Sequence, residues 1–351
     1  MRKGGMFTIR EAVREDNEEL LRLEEKSPQG TGISIVIDRD DYFYRSTLHA
    51  NGKVLIAEEE GKIVGVMAYA LKDVLIGGEK ERVAYFYDLR GEVSYRRSMK
   101  RGLFRLWKAV HAEIEAGGAA FIYGHVKADN HPSLNVATKI GARIAASFSV
   151  LSISTLPGKA EELDPHLDDL EAEVDRLEEL VGERSLRPLS LKEPYMRGAE
   201  LGYLNGIYRL EEGRSFAQVS AWDLSRIYRG RVVRMPITLR LLGALLNPAA
   251  KFLPLPRIPK VGEKIAYLQL FDPVCRGKDG ERLLKALLAR LQRRAHANGF
   301  DIITMFVYQD DPLAAIPRFF PQKVLRYHTM VRPVLSEELP PRPLYLDIRD
   351  V

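Results

Sequence analysis

The sequence has a single cysteine, Cys275, in 351 residues. One thiol excludes an intrachain disulfide framework and a cysteine-rich metal site, and a reducing cytoplasm is the simplest setting for such a chain. Seven histidines are present, but none stands in a close pair such as H-E-x-x-H, so we expect no metal. No apolar run approaches the roughly 20 residues that a membrane-spanning helix needs. We therefore expect a cytoplasmic protein without a membrane partner.

The excess of one charge sign is small as well, because 53 basic and 48 acidic residues leave a net charge of +5. A nucleic-acid partner usually requires a strongly basic surface, and we do not expect such a partner here. A small anionic ligand needs only a local cluster of cations. At 351 residues the chain exceeds what one hydrophobic core usually organises, so two domains are the first expectation.

Apolar periodicity predicts a mixed α/β protein whose two halves repeat one order of elements. In the first half, a hairpin over residues 54–70 precedes a strand, a loop, a helix, a strand, a capped helix and a strand. The same order returns after an acidic helix predicted over residues 159–182. We therefore place a boundary near Leu156, which gives domains of residues 1–156 and 157–351.

The stretch from Tyr85 to Ala142 carries the signal for a ligand. A strand ends at Leu89, and a basic loop follows it before a helix predicted over residues 103–116. Free backbone N–H groups and the helix dipole favour an anion at such a helix start, and the cations of the loop add to that field. The loop residues are Arg96, Arg97, Lys100, Arg101 and Gly102. The alternative is an exposed basic turn, since charge runs are usually solvated.

Two segments of this stretch resemble motifs of the GNAT (Gcn5-related N-acetyltransferase) superfamily. Asp88 to Arg96 follows the first part of the motif V-x-P-x-Y/H-R-x-x-G-x-G/A. Asn130 to Ala142 follows the later motif N-x-x-A-x-x-L-Y-x-K-x-G-F, which is the more specific match. The positions in register are Asn130, Ser133, Lys139 and Gly141. The resemblance covers residues 7–154 and implies a mixed, splayed sheet in which acetyl-CoA lies between two parting strands.

The resemblance also implies which groups hold acetyl-CoA. The backbone N–H groups at the helix start would bind its pyrophosphate, beside the cations Arg96 and Arg97. Strand-edge groups would face the pantetheine, and Asn130 with Ser133 would lie near the thioester. The implied pyrophosphate residues are Ser98, Met99, Lys100, Arg101, Gly102 and Leu103, and the implied strand-edge residues are Leu89, Arg90 and Gly91.

Two positions depart from the family pattern. Of its two loop glycines only Gly102 has a counterpart, which predicts either a looser grip supported by arginine side chains or a loop that no longer binds. Ala137 stands where many members carry the tyrosine that protonates the leaving CoA thiolate. Tyr123 and Tyr87 are the nearest phenols by strand position, and each is alternatively a core aromatic.

Acetyl transfer to an amine also needs a base, because alkylammonium groups are protonated at neutral pH. Asp88 lies near the end of the strand beside the expected thioester and is our candidate, with a water as the alternative. Asp88 alternatively forms an ion pair with Arg90 or Arg96. We take Asp88 and Tyr123 as the catalytic candidates.

The second half resembles the family more in architecture than in chemistry. Arg276 to Glu281 has a weak R-x-x-x-G shape, but its acidic residues would oppose an anion. Asp310 replaces the asparagine of the later motif, so we expect a degenerate copy without a cofactor. Residues 253–259 and 315–320 are weakly similar to Hookless-like plant members of the superfamily.

These observations predict an acetyl-CoA-dependent N-acetyltransferase with two tandem GNAT-like domains. An amine on a small molecule or a peptide would accept the acetyl group directly in the first domain. One alternative is a non-catalytic protein that binds a partner on the same scaffold, and another is an aminoacyl transferase that uses charged tRNA. The low net charge argues against the tRNA alternative, and strongly salt-dependent RNA binding would support it. The oligomeric state stays open, a homodimer included.

Overall fold

The computed structural model describes residues 7–28, 30, 32–92, 96–159, 162–250, 255–309, 311, 313–315, 320, 322–336 and 338–350. Within those residues, both strands and helices occur throughout the chain. None of the helices in these ranges is long and apolar enough to cross a membrane.

The elements of the first half follow the predicted order. They are β1 (Phe7–Glu11), α1 (Asn17–Glu25), β2 (Ser34–Asp38), β3 (Gly52–Glu59), β4 (Lys62–Ile76), β5 (Glu79–Gly91), α2 (Arg96–Ala116), β6 (Phe121–Lys127), α3 (His131–Lys139) and β7 (Arg143–Ser154). Local signals set several ends. The helix α2 ends before Gly118, whose φ of 73° is left-handed, and Asn130 caps α3.

The second half adds the remaining elements. They are α4 (Leu170–Val181), β8 (Arg187–Pro188), α5 (Lys192–Glu200), β9 (Leu204–Glu212), β10 (Ser215–Trp222), β11 (Arg229–Arg234), α6 (Ile237–Ala249), β12 (Lys264–Ile265), β13 (Tyr267–Arg276), α7 (Gly280–Ala297), β14 (Ile302–Tyr308) and β15 (Gln322–Pro333). A small sheet joins β12, β11 and β2, and therefore connects residues of both halves.

One large mixed sheet runs through both halves in the order β1-β3-β4-β5-β6-β15-β7-β14-β13-β10-β9, with β8 beside β4. The last strand of each half crosses to the other half. Strand β15 lies between β6 and β7, and β7 lies between β15 and β14, all antiparallel. Each half therefore covers a strand edge of the other. The division of the chain near Leu156 stays a prediction.

One long helix from each half packs on one face of this sheet. Leu106, Val110 and Ile114 of α2 are fully buried at helical spacing against β3 and β4. Leu284 and Leu287 of α7 are buried in the same way over β10. Burial of each such side chain contributes about 2 kcal/mol. The opposite face, which alternation of the strand side chains defines, packs against α4, α5 and the C-terminal segment.

The predicted fold class, a mixed α/β protein on a large mixed sheet, is confirmed. Two predicted bounds are wrong. The basic loop forms the first turns of α2, which begins at Arg96 and not at Leu103. The acidic helix begins at Leu170, because the Asp169 side chain caps it by accepting a hydrogen bond from the Ala172 N–H. Residues 253, 254 and 316–319 of the Hookless-like segments, and Asp310, lie outside the described residues.

Candidate functional site

Strands β5 and β6 lie parallel at the centre of the first half and then part. Their pairing covers three positions and ends at Tyr85 and Tyr123. Both strands continue past that pair without another pair between them. We call this opening the splay, and it is bounded by residues 86–91 of β5 and 124–127 of β6. Backbone groups on such an open edge are available to an extended ligand.

Two backbone features shape the splay. At Gly124 a Cβ atom would lie 2.6 Å from the Phe86 carbonyl oxygen, so only glycine permits this close approach. At Asp88 the φ of 51° is left-handed, and the register with β4 shifts between Val66 and Ala68. Such a bulge turns peptide groups out of the strand ladder and bends the strand. The bulge therefore lies where β5 leaves β6.

The start of α2 lies just beyond the open end of β5. Its first turn contains no acidic residue, and its dipole and free N–H groups favour an anion. Lys100 and Arg101 are exposed on this part of the helix. The helix also approaches β4 closely, because a Cβ atom on Gly65 would lie 2.9 Å from Leu103 Cδ2. The fold thus holds a cationic helix start near the splay.

The sequence prediction needs a correction along this helix. Residues Lys100, Arg101, Gly102 and Leu103 lie inside α2, so their N–H groups donate to carbonyl oxygens four residues earlier and are not free for a pyrophosphate. The N–H groups that helix geometry leaves free belong to the first turn, which starts at Arg96. Residues 93–95 and the side chains of the predicted ligands Arg96, Arg97, Ser98 and Met99 lie outside the described residues.

Asn130 and Ser133 lie together where β6 ends. The Asn130 Oδ1 atom accepts a hydrogen bond from the Ser133 N–H at 3.2 Å and caps α3. Lys127 pairs with Asp129 on the same turn at 3.0 Å. Both predicted residues therefore stand at the end of β6 that borders the splay, and their contact with a cofactor stays a prediction.

Asp88, the predicted base, belongs to a buried network of four charged side chains. Its carboxylate lies 3.6 Å from Arg39 Nη2 and 3.4 Å from Arg90 Nη2. Glu24 binds the same two arginines, at 2.6 Å and 2.5 Å. Burial raises the pKa of Asp88, but Arg39 and Arg90 outweigh burial, and the net pKa is lowered. The alternative ion pair with Arg90 is thus present, and it makes Asp88 a weak proton acceptor.

Tyr123 lies in an aromatic layer on the face of the sheet opposite α2. The Tyr85 ring stacks on Tyr87 with centroids 5.4 Å apart, and it tilts against Tyr123 at 5.3 Å. Tyr123 is 2% exposed, and its hydroxyl donates to Asp350 Oδ2 at 2.6 Å. The same hydroxyl accepts a hydrogen bond from Lys72 Nζ at 3.1 Å. The last paired residue before the splay is therefore held in a polar cluster.

Lys72 is the centre of this cluster. Its Nζ atom lies 2.6 Å from Asp347 Oδ2 and 2.8 Å from Asp350 Oδ1. Arg349 supplies a second cation to Asp347 at 2.7 Å. We call Lys72, Tyr123, Asp347 and Asp350 the Lys72 cluster. It fastens the C-terminal segment across the aromatic layer.

Burial dominates the proton affinities of the cluster. Burial raises the pKa of Asp350, with Lys72 opposing, and it raises the pKa of Tyr123, which keeps the phenol protonated at neutral pH. Burial also acts on Asp347, but there Arg349 and Lys72 prevail and the pKa is lowered. Asp350 is therefore the carboxylate of this cluster that binds a proton more readily.

The second half contains a matching opening with different chemistry. Strands β13 and β14 pair in parallel over four positions and then part, and Asp272 has the same φ of 51° as Asp88. The Asp272 carboxylate accepts hydrogen bonds from Tyr195 at 2.5 Å and Tyr345 at 3.1 Å. Burial raises the pKa of Asp272 to about 6. The first turn of α7 carries the acidic Glu281, whereas that of α2 carries no acid.

The sequence prediction missed Lys72, Asp347 and Asp350. Lys72 and Asp350 are 278 positions apart, and no local pattern joins them. One signal was present, because the apolar residues Leu344, Tyr345 and Leu346 directly precede a run of charged residues around Ile348. An apolar run of this kind indicates a buried segment, and charged residues within it then need buried partners.

Comparison with known proteins bears on the fold. No family model matches the sequence. A curated rice protein, acetyl transferase GW6a of Oryza sativa, is 34% identical over 113 residues. The matched residues make up 31% of this chain and only 27% of that relative. N-myristoyltransferase of Saccharomyces cerevisiae with bound myristoyl-CoA aligns with a TM-score of 0.61 at 8% identity, over 93% of this chain and 79% of that one. A provisionally assigned acetyltransferase from Pyrococcus horikoshii aligns with a TM-score of 0.51 at 13% identity, over 97% of this chain and 93% of that one.

Both structural likenesses extend over more than nine-tenths of the chain, so they concern the large sheet and not one half of it. At these identities they describe architecture. The splay with its bulge, and the two motifs that begin at Asp88 and Asn130, lie within that architecture. The chain therefore shares the fold of these two proteins, and its two motifs resemble those of the GNAT superfamily.

Proposed function

We propose that the chain is an acyl-CoA-dependent N-acyltransferase that uses acetyl-CoA and works in its first half, residues 1–156. The splay joined to the start of α2 carries the proposal. An open strand edge suits the extended pantetheine, and a helix start without acidic residues suits the diphosphate. The rice relative is named an acetyl transferase, and the yeast enzyme holds myristoyl-CoA, which supports an acyl-CoA donor.

The proposal includes an internal tandem repeat with its boundary near Leu156. The matching bulges at Asp88 and Asp272 support the repeat. Glu281 in the first turn of α7, and the tyrosines that bind Asp272 in place of arginines, support a second half without a cofactor. We place the protein in the cytoplasm, in agreement with its single cysteine.

The proposed reaction is direct transfer to an amine of a small molecule or a peptide. The amine nitrogen attacks the thioester carbonyl carbon, the C–S bond breaks, and the leaving thiolate takes a proton. Tyr123 is the proposed acid, because its phenol ends the strand pair at the splay and the ammonium group of Lys72, 3.1 Å from its oxygen, would stabilise the phenolate that forms. Asp350 accepts the proton that the amine loses, since its pKa is raised and it already binds the Tyr123 hydroxyl. Asp88 is the weaker base, because two arginines stabilise its anion.

Calorimetry with acetyl-CoA tests the binding part of the proposal. We expect the folded chain to bind, and the double variant Lys100→Gln with Arg101→Gln to bind more weakly, because it removes two exposed cations at the helix start. The matched control is Arg276→Gln with Lys278→Gln, which removes two cations before α7. It should leave the affinity unchanged. Absence of binding by folded protein would refute the proposal.

Release of CoA from acetyl-CoA, measured against a panel of amines, tests the chemical part. Tyr123→Phe should lower the turnover number about 100-fold and leave acetyl-CoA affinity unchanged, as loss of a general acid does. Tyr87→Phe, in the same aromatic layer, is the matched control and should keep its turnover. Binding of acetyl-CoA without CoA release from any amine would favour the non-catalytic scaffold instead.

A further inference from the structure

Helix α6 presents its apolar side to solvent. Ile237, Leu241 and Leu245 are 62%, 65% and 74% exposed. They stand at intervals of four residues, so they form one stripe along the helix. Gly243 points the opposite way and is the buried residue of α6. A surface helix of a soluble domain normally buries its apolar side, so this orientation requires an explanation.

The helix is anchored in this orientation. Asn247 Nδ2 donates to the Ile258 carbonyl oxygen at 2.9 Å, and the Ile258 N–H donates to Asn247 Oδ1 at 3.0 Å. Ile258 lies against Gly243, where a Cβ atom would be 3.2 Å from its side chain. Leu239 packs from the inner side against the buried Val232. The exposed leucines are therefore displayed by a packed helix whose inner side is already occupied.

The segment around α6 carries charge of one sign. Residues 224–262 contain no aspartate or glutamate. Their eight basic residues are Arg226, Arg229, Arg231, Arg234, Arg240, Lys251, Arg257 and Lys260. Arg234 precedes the helix, Arg240 flanks the apolar stripe, and Lys260 lies in the turn before β12, and all three are exposed. Arg231 and Arg257 are paired with acidic residues outside the segment. The cations beside the apolar stripe that can face a ligand are therefore Arg234, Arg240 and Lys260.

We propose that α6 docks on the surface of an anionic membrane. The stripe of Ile237, Leu241 and Leu245 would enter the boundary between headgroups and acyl chains, while the flanking cations bind lipid phosphates. The helix has 13 residues, fewer than the roughly 20 that span a bilayer, so it lies on the membrane and does not cross it. This inference departs from the expectation, drawn from the absence of long apolar runs, that the protein has no membrane partner.

A second copy of the chain is the competing occupant. In a two-fold symmetric contact the same surface meets itself, so Arg234 and Arg240 of one copy would face the arginines of the other. Like charges placed opposite each other disfavour association. An anionic lipid surface instead complements these cations, and the charge pattern therefore favours the membrane.

Cosedimentation of the full chain with vesicles tests the proposal. We expect binding to vesicles of phosphatidylcholine mixed with phosphatidylglycerol, and at least tenfold weaker binding to pure phosphatidylcholine or at high salt. The double variant Leu241→Glu with Leu245→Glu should lose at least tenfold in binding, whereas Leu335→Glu should not. Leu335 is a matched control, because it is 62% exposed and lies outside α6.

A second measurement keeps the test independent of folding defects in the glutamate variant. In Leu245→Trp the new indole should shift its fluorescence to shorter wavelength when phosphatidylglycerol vesicles are added. Absence of vesicle binding by the folded chain, or equal binding by the double glutamate variant, would overturn the proposal. The proposal would also be overturned if the parent chain did not bind vesicles but self-associated, and if the double glutamate variant lost that self-association. That result would assign the stripe to a dimer.

Discussion

Replacement of Lys72 by methionine should strongly destabilise the protein. The side chains of Asp347 and Asp350 are 1% and 2% exposed, and Lys72 contacts both. Without its ammonium group two buried carboxylates remain, and removal of one partner of a buried pair costs about 3 to 5 kcal/mol. Arg349 still neutralises Asp347, so the loss falls mainly on Asp350 and we expect about 3 kcal/mol.

Urea unfolding at neutral pH measures this loss. The matched control is Lys80→Met, because Lys80 pairs with Asp73 at 2.9 Å but is 61% exposed. An exposed pair contributes at most about 1 kcal/mol, so the control should change little. Adding Asp350→Asn to Lys72→Met should recover part of the loss, because it removes the uncompensated charge.

The pH dependence has a definite sign. Burial already raises the pKa of Asp350, and loss of Lys72 removes the main group that opposes the rise. In the variant the folded chain therefore binds a proton that the unfolded chain releases, and this stability is lost as the pH rises. Lys72→Met should be less destabilised at acidic than at alkaline pH. The reasoning would be refuted if Lys72→Met lost no more than about 1 kcal/mol of unfolding free energy beyond the loss in Lys80→Met, and if this difference did not change with pH.

Three further predictions concern single positions. Burial raises the pKa of Asp272 from 3.8 to about 6, so its contribution of roughly 3 kcal/mol should be present below pH 4 and lost as the pH rises through 6. Asparagine tolerates the positive φ at this position. In Asp272→Asn the free energy of urea unfolding should not fall as the pH rises through 6, and a pH profile equal to that of the parent chain would contradict the assignment. Gly124→Ala should cost about 1 to 3 kcal/mol in thermal or urea unfolding and weaken acetyl-CoA binding, because its Cβ would meet the Phe86 carbonyl oxygen at 2.6 Å. A Cβ atom on Gly32 would meet no atom within 4 Å, so Gly32→Ala should change neither stability nor acetyl-CoA binding. Asn130→Ala should lose about 1 kcal/mol with its helix cap while Asn130→Asp keeps it, and equal stabilities would argue against the cap.

Features with local chemical signals were predicted well from the sequence. The hairpin turn between β3 and β4 has Gly61, whose φ is 74°, and the start of α3 has the cap Asn130. Both are set by residues that lie within a few positions of each other. The hairpin turn and α3 are confirmed, whereas β4 runs beyond the predicted end at Ala70 to Ile76.

The start of α2 was predicted less well, because apolar residues at helical spacing begin only at Leu103. Arginine, lysine and methionine between Arg96 and Arg101 are good helix formers, and the segment contains neither proline nor an early glycine. Helix propensity alone would have extended α2 to Arg96, as observed. The apolar pattern predicted a loop there, and the resemblance therefore assigned free N–H groups too far along the chain.

The partners of the candidate catalytic residues could not be predicted, since they arrive from distant segments. Arg39, which is itself paired with Glu24, reaches Asp88 from the first 40 residues, and Asp350 reaches Tyr123 across more than 200 positions. Strand pairing gives the reason, because periodicity identifies a strand but not its neighbour. The strand positions of Asp88 and Tyr123 were therefore predictable, whereas the pKa shifts that their distant partners cause were not.

The exchange of β7 and β15 has a consequence for synthesis on the ribosome. Tyr123 of β6 pairs with Val331 of β15, so the neighbour of β6 leaves the ribosome long after β6 itself. Until then the first half has β6 and β7 with uncovered edges, which are templates for wrong pairing. Contacts of such sequence separation form slowly. The first half should therefore complete its sheet only after β15 has been translated. Chaperones that cover open strands should matter more for this chain than for one built from local hairpins alone.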